Sequence, residues 1–532
     1  MKIRTIFPLA AALFIGTAAA DSQDRAEPLV AALGLGEERR ARLMEDLKSA
    51  LESDTEPAWL AGLATPEGLE TLRKYHRDHG FLPADLEWID KLPDDAPADL
   101  RAKATALHAR QLMRHGPPEI AAQWPKWDSG ETPGADKTQS LPDGTLAELL
   151  EAFVPKNPVY RVLLDRYRTM GGQLEKLRAD FTPIPPIKEG EIVKPGDTYQ
   201  GVPVLARRLV EEGYLSERPE TPEENTNIYT EEMSEAVKRF QKHYGRAVDG
   251  ILGPDTLAEL NRTPDMEHEI LRINLHRARM LPDDPGERHV IVNIPSNRVF
   301  AFAKPGDTPD LQMKTIVGQA IRDRQTPVFR DVMETVEFGP YWNVPVSIAS
   351  GEIVPQARGD HGHMARNNFE IVRSFGASDT LPVTSSNLSR VASGDLLVRQ
   401  RPGSSNALGW VKFLFPNDFA IYLHDTPQDH LFEEAERDFS HGCIRVERPA
   451  DLAEFVLGPQ GWSRAEVESA LKNAENRRVE VKQPVMVYII YLTAFPDWDE
   501  SDPRTVRFHP DIYNRDTAIS DELKQAKADP GS

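Results

Sequence analysis

Cys443 is the only cysteine in a chain of 532 residues, and it stands in Ser440-His441-Gly442-Cys443-Ile444-Arg445-Val446. One cysteine forms no internal disulfide, so the residue reads either as a reactive thiol or as a small buried apolar side chain. In an extended segment residues two apart point to one side, so His441 and Arg445 flank the sulfur and favour its thiolate. Upstream, Ala420-Ile421-Tyr422-Leu423 reads as a buried strand that ends at Asp425-Thr426-Pro427. His424 therefore sits at a strand end, where the sheet fixes the backbone and the side chain stays reachable. A thiol with an imidazole within about twenty residues is the equipment of nucleophilic acyl transfer, with Cys443 as nucleophile and His424 as base.

Around this pair the supporting roles divide. His441 is the competing base. The backbone N–H groups of Gly442 and Cys443 are the natural oxyanion donors, because glycine lets the chain approach closely. Asp425 orients His424 through its carboxylate or its backbone carbonyl; adjacent strand residues point to opposite faces, and both options stand. Arg445 reads as a bidentate fork for a substrate carboxylate or as the partner of Glu447, and Trp342 as a cleft wall or a core residue. His361, His363 and His441 lack a carboxylate pattern or a second cysteine to complete a metal site, so neither metal nor cofactor is expected.

The elements that must position these residues fall into successive blocks. Residues 1–20 read as a secretory signal: Lys2 and Arg4, an apolar run from Ile6 to Gly16, and Ala18-Ala19-Ala20 as cleavage site. That run is too short to span a membrane, so an exported, periplasmic protein is expected. Residues 21–190 carry apolar side chains at helical spacing on a charged background, with Trp59, Trp88, Trp124 and Trp127 as core anchors. Residues 196–262 form a three-helix module, with a long insert from Ser216 to Tyr229, followed by a connector helix around Met266 to Met280. Residues 285–495 change to short β-branched and aromatic runs, the signature of a β-rich domain, with a polar insertion over 358–401; residues 496–532 read as a C-terminal tail. The fold class is thus multidomain α+β. Net charge is −21, or −23 without Lys2 and Arg4, and with no basic stripe this excludes nucleic acid as a partner.

His424-Asp425-Thr426-Pro427 together with Ser440-His441-Gly442-Cys443-Ile444-Arg445-Val446 resembles the catalytic signature of the L,D-transpeptidases, cysteine enzymes that cross-link bacterial peptidoglycan. The stretches Gln325-Thr326-Pro327-Val328-Phe329, Tyr341-Trp342-Asn343-Val344-Pro345 and Asn406-Ala407-Leu408-Gly409 extend the likeness to the family's large, scaffold-bearing subclass. Residues 196–262 resemble a peptidoglycan-binding domain through Ala236-Val237-Lys238-Arg239-Phe240-Gln241 and Asp249-Gly250-Ile251-Leu252-Gly253-Pro254-Asp255-Thr256. The resemblance implies a helical scaffold domain, a wall-binding module and a transpeptidase domain whose insertion caps the cleft. It also implies Tyr422 near the oxyanion pocket, stem peptides and glycan strands as partners alongside other cell-wall synthesis enzymes, and 3-3 cross-links formed with release of D-alanine. Lipoprotein attachment or D-amino-acid exchange through the same acyl-enzyme, and a non-catalytic wall-binding protein, are the alternatives.

Overall fold

The computed structural model describes residues 26–519 except 34, 52–56, 94, 118–119, 121, 123, 125–140, 189, 217–226, 245, 307, 361 and 499–504. The signal segment 1–20, Trp127, His361 and most of the insert between Ser216 and Tyr229 lie outside the described residues. The chain divides into two compact units, Met1–Asp180 with Pro264–Asp284, and Phe181–Thr263 with Pro285–Ser532.

The first unit is helical. Helices Glu37–Leu51, Ala58–Leu63, Pro66–Asp78, Ala98–His115 and Leu146–Phe153 surround one apolar core in which Trp59 and Trp88 are buried. Local chemistry sets the helix starts: Thr65 Oγ1 accepts from Gly68 N ahead of Pro66, and Thr145 and Glu148 form a reciprocal capping box. The helix Pro264–Ala278, expected as a connector, belongs here; it packs along Pro158–Asp180, with Arg178 Nε bonded to Asp265 at 3.0 Å.

In the second unit, Val202–Glu211, Glu231–His243 and Pro254–Leu260 are the three helices of the module. Gln241 is fully buried and links its parts: its Nε2 donates to Asp249 Oδ1 (2.8 Å), Ile251 O (3.1 Å) and Thr256 Oγ1 (3.1 Å), and its Oε1 accepts from Asp249 N and Gly250 N. Its bonding capacity is thereby taken up within the fold. The Phe-Gln and Asp-Gly motifs occur together because one side chain closes the turn of the other.

The remainder is a closed barrel. Its strands are β1 (His289–Asn293), β2 (Arg298–Phe302), β3 (Leu311–Ile316), β4 (Phe329–Phe338), β8 (Val411–Leu414), β9 (Leu423–His424), β10 (Ile444–Val446) and β11 (Arg477–Ile490), in the order β1-β11-β4-β8-β9-β10-β3-β2. Val336, Phe413, Leu423 and Ile444 lie in one register row across β4, β8, β9 and β10, all fully buried. The adjacent row, on the opposite face, is polar.

Between β4 and β8, strands β5 (Trp342–Asn343), β6 (Phe369–Val372) and β7 (Leu397–Gln400) form a small sheet with its own core of Val344, Ile353, Met364, Leu388 and Val398. The insertion thus begins at Trp342, ahead of the expected 358. Residues 505–519, read as tail, are folded in part: β12 (Ala494–Pro496) pairs with β13 (Val506–Phe508), and Tyr513 and Ile519 are buried.

Candidate active site

Strands β9 and β10 run parallel with Leu423 opposite Ile444 and His424 opposite Arg445, and Ile444 N donates to Tyr422 O at 3.1 Å. This register sets Cys443 beside Tyr422 and puts His424 and Arg445 on one face. The expected strand over Ala420–Leu423 starts only at Leu423. Before it, Asn417 Oδ1 accepts from Phe419 N and Ile421 N while its Nδ2 donates to Phe415 O and Ile421 O, so a local turn outcompetes the ladder. Ala420 takes a left-handed φ of 55° in that turn, and its carbonyl lies 3.7 Å from Cys443 Sγ.

His424 is buried, and its Nδ1 lies 2.5 Å from Asp425 O. A carbonyl only accepts, so Nδ1 carries the proton and Nε2 keeps its lone pair, the form a base requires. Burial, with Arg445 and Lys412 nearby, lowers the His424 pKa to about 3, so the ring is neutral at physiological pH. Of the two options for Asp425 the carbonyl is the one used. Its carboxylate accepts from Trp410 N and Thr426 N, both at 2.7 Å. Gly409 makes room for it: a Cβ there would stand 2.3 Å from Asp425 Cγ. The loop is pinned by Asn406, whose amide reaches Pro340 O, Gln400 O and Arg401 O. The Asn-Ala-Leu-Gly stretch therefore seats the residue whose carbonyl orients His424.

The loop before Cys443 is braced on several sides. Ser440 Oγ donates to Cys443 O at 2.5 Å and accepts from Gly442 N at 3.1 Å. The Gly442 N–H is thus engaged within the loop rather than aimed at an oxyanion, which corrects the expectation for that residue; the Cys443 N–H and the Tyr422 hydroxyl remain as candidates. Gly442 has φ 117°, a region glycine tolerates, and its carbonyl accepts from Thr326 Oγ1 at 2.8 Å. Tyr513 Oη in turn donates to Gly318 O (2.6 Å) and accepts from Thr326 N (3.1 Å). Gly318 bridges Ser440, so a residue of the supposed tail buttresses the loop that carries Cys443. His441 points elsewhere: its Nε2 is 2.8 Å from Glu352 Oε1 in a π-helical turn (Ala349–Ile353) of the insertion.

Cys443 is partly exposed, yet the protein packed about its sulfur pushes the thiol up to about 11. Hydrogen bonding from Tyr422 and the charges of Arg445 and Lys412 pull the other way. Arg445 Nη1 donates to Gln428 Oε1 at 2.7 Å, and its buried Nε has no partner. Its alternative as the partner of Glu447 fails, because Glu447 accepts from Lys314 N and faces Lys314 Nζ at 3.7 Å. Trp342 packs against the insertion's core, its ring 6.2 Å from Phe369. Glu337 and Tyr513, both buried and distant from the motif, carry no signal in the sequence, and Lys412 stands out there only as the first residue of the stretch Lys412 to Asn417 that resembles the family. Among the described residues no three His, Cys, Asp or Glu side chains converge as a metal site.

A partly exposed thiol next to β10 and a neutral, carbonyl-oriented imidazole on the neighbouring strand β9 are the groups that acyl transfer through a cysteine uses. Residues 287–487 match the YkuD L,D-transpeptidase catalytic domain, and residues 198–260 match the "Putative peptidoglycan binding domain". The chain is 31% identical over 251 residues to a protein of Haemophilus influenzae described as "Putative L,D-transpeptidase". That match covers 47% of this chain and 48% of the relative, about half the length of each.

Proposed function

We propose that the protein forms 3-3 peptidoglycan cross-links through a Cys443 acyl-enzyme. His424 Nε2 takes the Cys443 proton, and the thiolate attacks the carbonyl that joins the third residue of a tetrapeptide stem to its terminal D-alanine. The Cys443 N–H and the Tyr422 hydroxyl face the oxyanion as it forms. Collapse breaks the peptide bond, and D-alanine leaves as an amine that receives the proton held by His424. A side-chain amine of a neighbouring stem then attacks the thioester, gives a proton to His424 and releases Cys443. Arg445, with an unsatisfied Nε beside the sulfur, binds a stem carboxylate.

The observation that carries this proposal is the Nδ1 bond of His424 to Asp425 O, which leaves Nε2 as a base one strand away from the sulfur. The compartment is the periplasm, with Met1 to Ala20 as leader; N-terminal sequencing of the exported protein checks the cleavage. Incubation with a disaccharide tetrapeptide and mass analysis checks the reaction. A dimer lighter than two donors by one D-alanine is expected from the wild type and none from Cys443→Ser at unchanged melting temperature, since a hydroxyl is far the weaker nucleophile. Turnover retained by Cys443→Ser would refute the nucleophile, and D-alanine exchange without dimers would assign the acyl-enzyme to amino-acid exchange.

A further inference from the structure

The polar row beside the nucleophile crosses five adjacent strands. Arg478 lies opposite Glu337, Glu337 opposite Lys412, Lys412 opposite His424 and His424 opposite Arg445. Opposed residues of a sheet share a face, so these side chains form one line. Within it, Glu337 is 2% and Lys412 9% exposed. Lys412 Nζ is 3.3 Å from Glu337 Oε2, which also accepts from Arg478 Nε at 3.0 Å, while Asn476 Nδ2 donates to Glu337 Oε1 at 2.8 Å. On its other side Lys412 Nζ lies 5.9 Å from the centre of the Tyr422 ring, whose neighbour across the strands is Cys443.

A barrel needs no ammonium here. Burying two charges is expensive, and an apolar pair of similar volume is often at least as stable. The row holds Arg478, Lys412 and Arg445 as cations against the single carboxylate of Glu337, with His424 neutral. It is two charges in excess until an anion arrives, and the anion that forms next to it is the Cys443 thiolate.

We propose that Lys412, held by Glu337, is a positioning residue that lends positive potential to Cys443 through the wall formed by Tyr422. Glu337 fixes the ammonium in place and Tyr422 separates it from the sulfur, so the lysine acts as a fixed field rather than as a proton donor. The inference rests on Cys443 as the nucleophile, but not on the identity of donor or acceptor.

Because the chain has one cysteine, ultraviolet thiolate titration against a Cys443→Ser blank, and alkylation by iodoacetamide against pH, both report on that sulfur alone. Lys412→Met should move the thiol titration up by about one pH unit and slow alkylation at neutral pH about tenfold, and Lys412→Arg should restore most of both. If Lys412→Met folds poorly, the double variant Lys412→Met/Glu337→Gln removes both charges and leaves no buried unpaired carboxylate. It too should show the upward shift. A wild-type titration curve in either folded methionine variant would overturn the proposal and leave Lys412 as a structural ion pair. Absence of any acyl-enzyme in the wild-type protein with tetrapeptide would count against the proposed reaction instead, and would leave the titration result standing.

Discussion

Arg279 in the helical unit and Lys412 in the barrel are both buried cations, 3% and 9% exposed, each surrounded by tyrosine and histidine side chains. Around Arg279 the polar groups find partners. Its Nε donates to His276 Nδ1 at 3.1 Å, Nη1 points to Met113 O at 3.4 Å, Nη2 bonds His79 O, and the guanidinium lies over the rings of Phe81 and Tyr160. His276 Nε2 reaches Gly80 O at 2.9 Å, and His79 Nδ1 reaches Tyr160 Oη at 2.6 Å. The barrel cluster stays incomplete: Arg445 Nε is buried without a partner beside a partly exposed sulfur. The same residue types make a closed structural knot in one unit and an open cluster in the other. What separates them is an unsatisfied group next to a partly exposed thiol.

The sharpest way to break that contrast is to remove one histidine from each cluster. His424→Ala should lower single-turnover acylation by a tetrapeptide about 10² to 10⁴-fold, the usual loss for a positioned proton acceptor. His276→Ala should leave the acylation rate of folded protein unchanged and lower the stability of the helical unit by about 2 to 4 kcal/mol, through the lost packing and the orphaned Arg279 Nε. Thermal melts and stopped-flow acylation on both variants check this, and a slowed acylation in folded His276→Ala would erase the distinction.

Acid should act on the two regions unequally. Burial lowers His76 to about 4, His79 to about 2 and His108 to about 3, and holds His276 well below its ordinary value. In the unfolded chain each titrates near 6.5, so between about pH 6.5 and about 4 the unfolded state binds more protons, and stability falls as pH falls. Each such histidine withdraws about 1.4 kcal/mol per pH unit across that window. The second unit carries His424, at about 3, and His509, beyond β13, also well below its ordinary value. The helical unit, with the larger set, should therefore open first. Far-ultraviolet circular dichroism between pH 7 and pH 4 should show helix loss before Cys443 becomes rapidly alkylated by an acid-tolerant thiol reagent. Simultaneous transitions would show that the two units unfold as one.

A smaller effect is expected at the support behind Cys443. Tyr513→Phe removes the bonds to Gly318 O and Thr326 N and should destabilise the barrel by about 1 to 3 kcal/mol. It should slow acylation about tenfold through the loosened loop at Gly442, since small misplacements at a reacting centre are amplified in rate. Unchanged acylation would mean that Thr326 alone holds Gly442.

Cys443 and His424 stand out in the sequence as a candidate pair because such residues are rare there, a sole thiol in a glycine-bearing segment and an imidazole at the end of an apolar run, and the structure places them at adjoining strands. The helical unit and the barrel were legible from their two periods. What was not legible depends on contacts distant in sequence. Tyr513 is 187 residues from Thr326, and nothing near it reports the bond. Lys412 looks like an outward residue of an alternating strand, and only the pairing of β8 with β4 brings Glu337 to it. Ala420 was misread because strand propensity carries no account of Asn417, whose side chain takes the backbone bonds that a ladder would use. The insertion's start was missed because β5 is two residues long.

The smallest predicted effect tests whether His441 is part of the site or part of its frame. Its ring nitrogen meets Glu352 of the insertion at 2.8 Å, with side chains 31% and 43% exposed, and Arg324 lies 3.7 Å from the same carboxylate oxygen. Exposed pairs of this kind contribute about 0 to 1 kcal/mol and weaken with salt. Glu352→Gln should therefore slow acylation by less than about fivefold, and raising salt should reduce the difference between variant and wild type. His441→Ala should fall in the same range, because in the proposed mechanism the base is His424, held by Asp425 O. Measuring both variants at low and high salt decides the matter. A loss of about a hundredfold in His441→Ala that salt does not touch would make His441 the base and His424 a structural strand end; a salt-sensitive loss of a few fold in both variants would leave Glu352 as a surface latch on the loop.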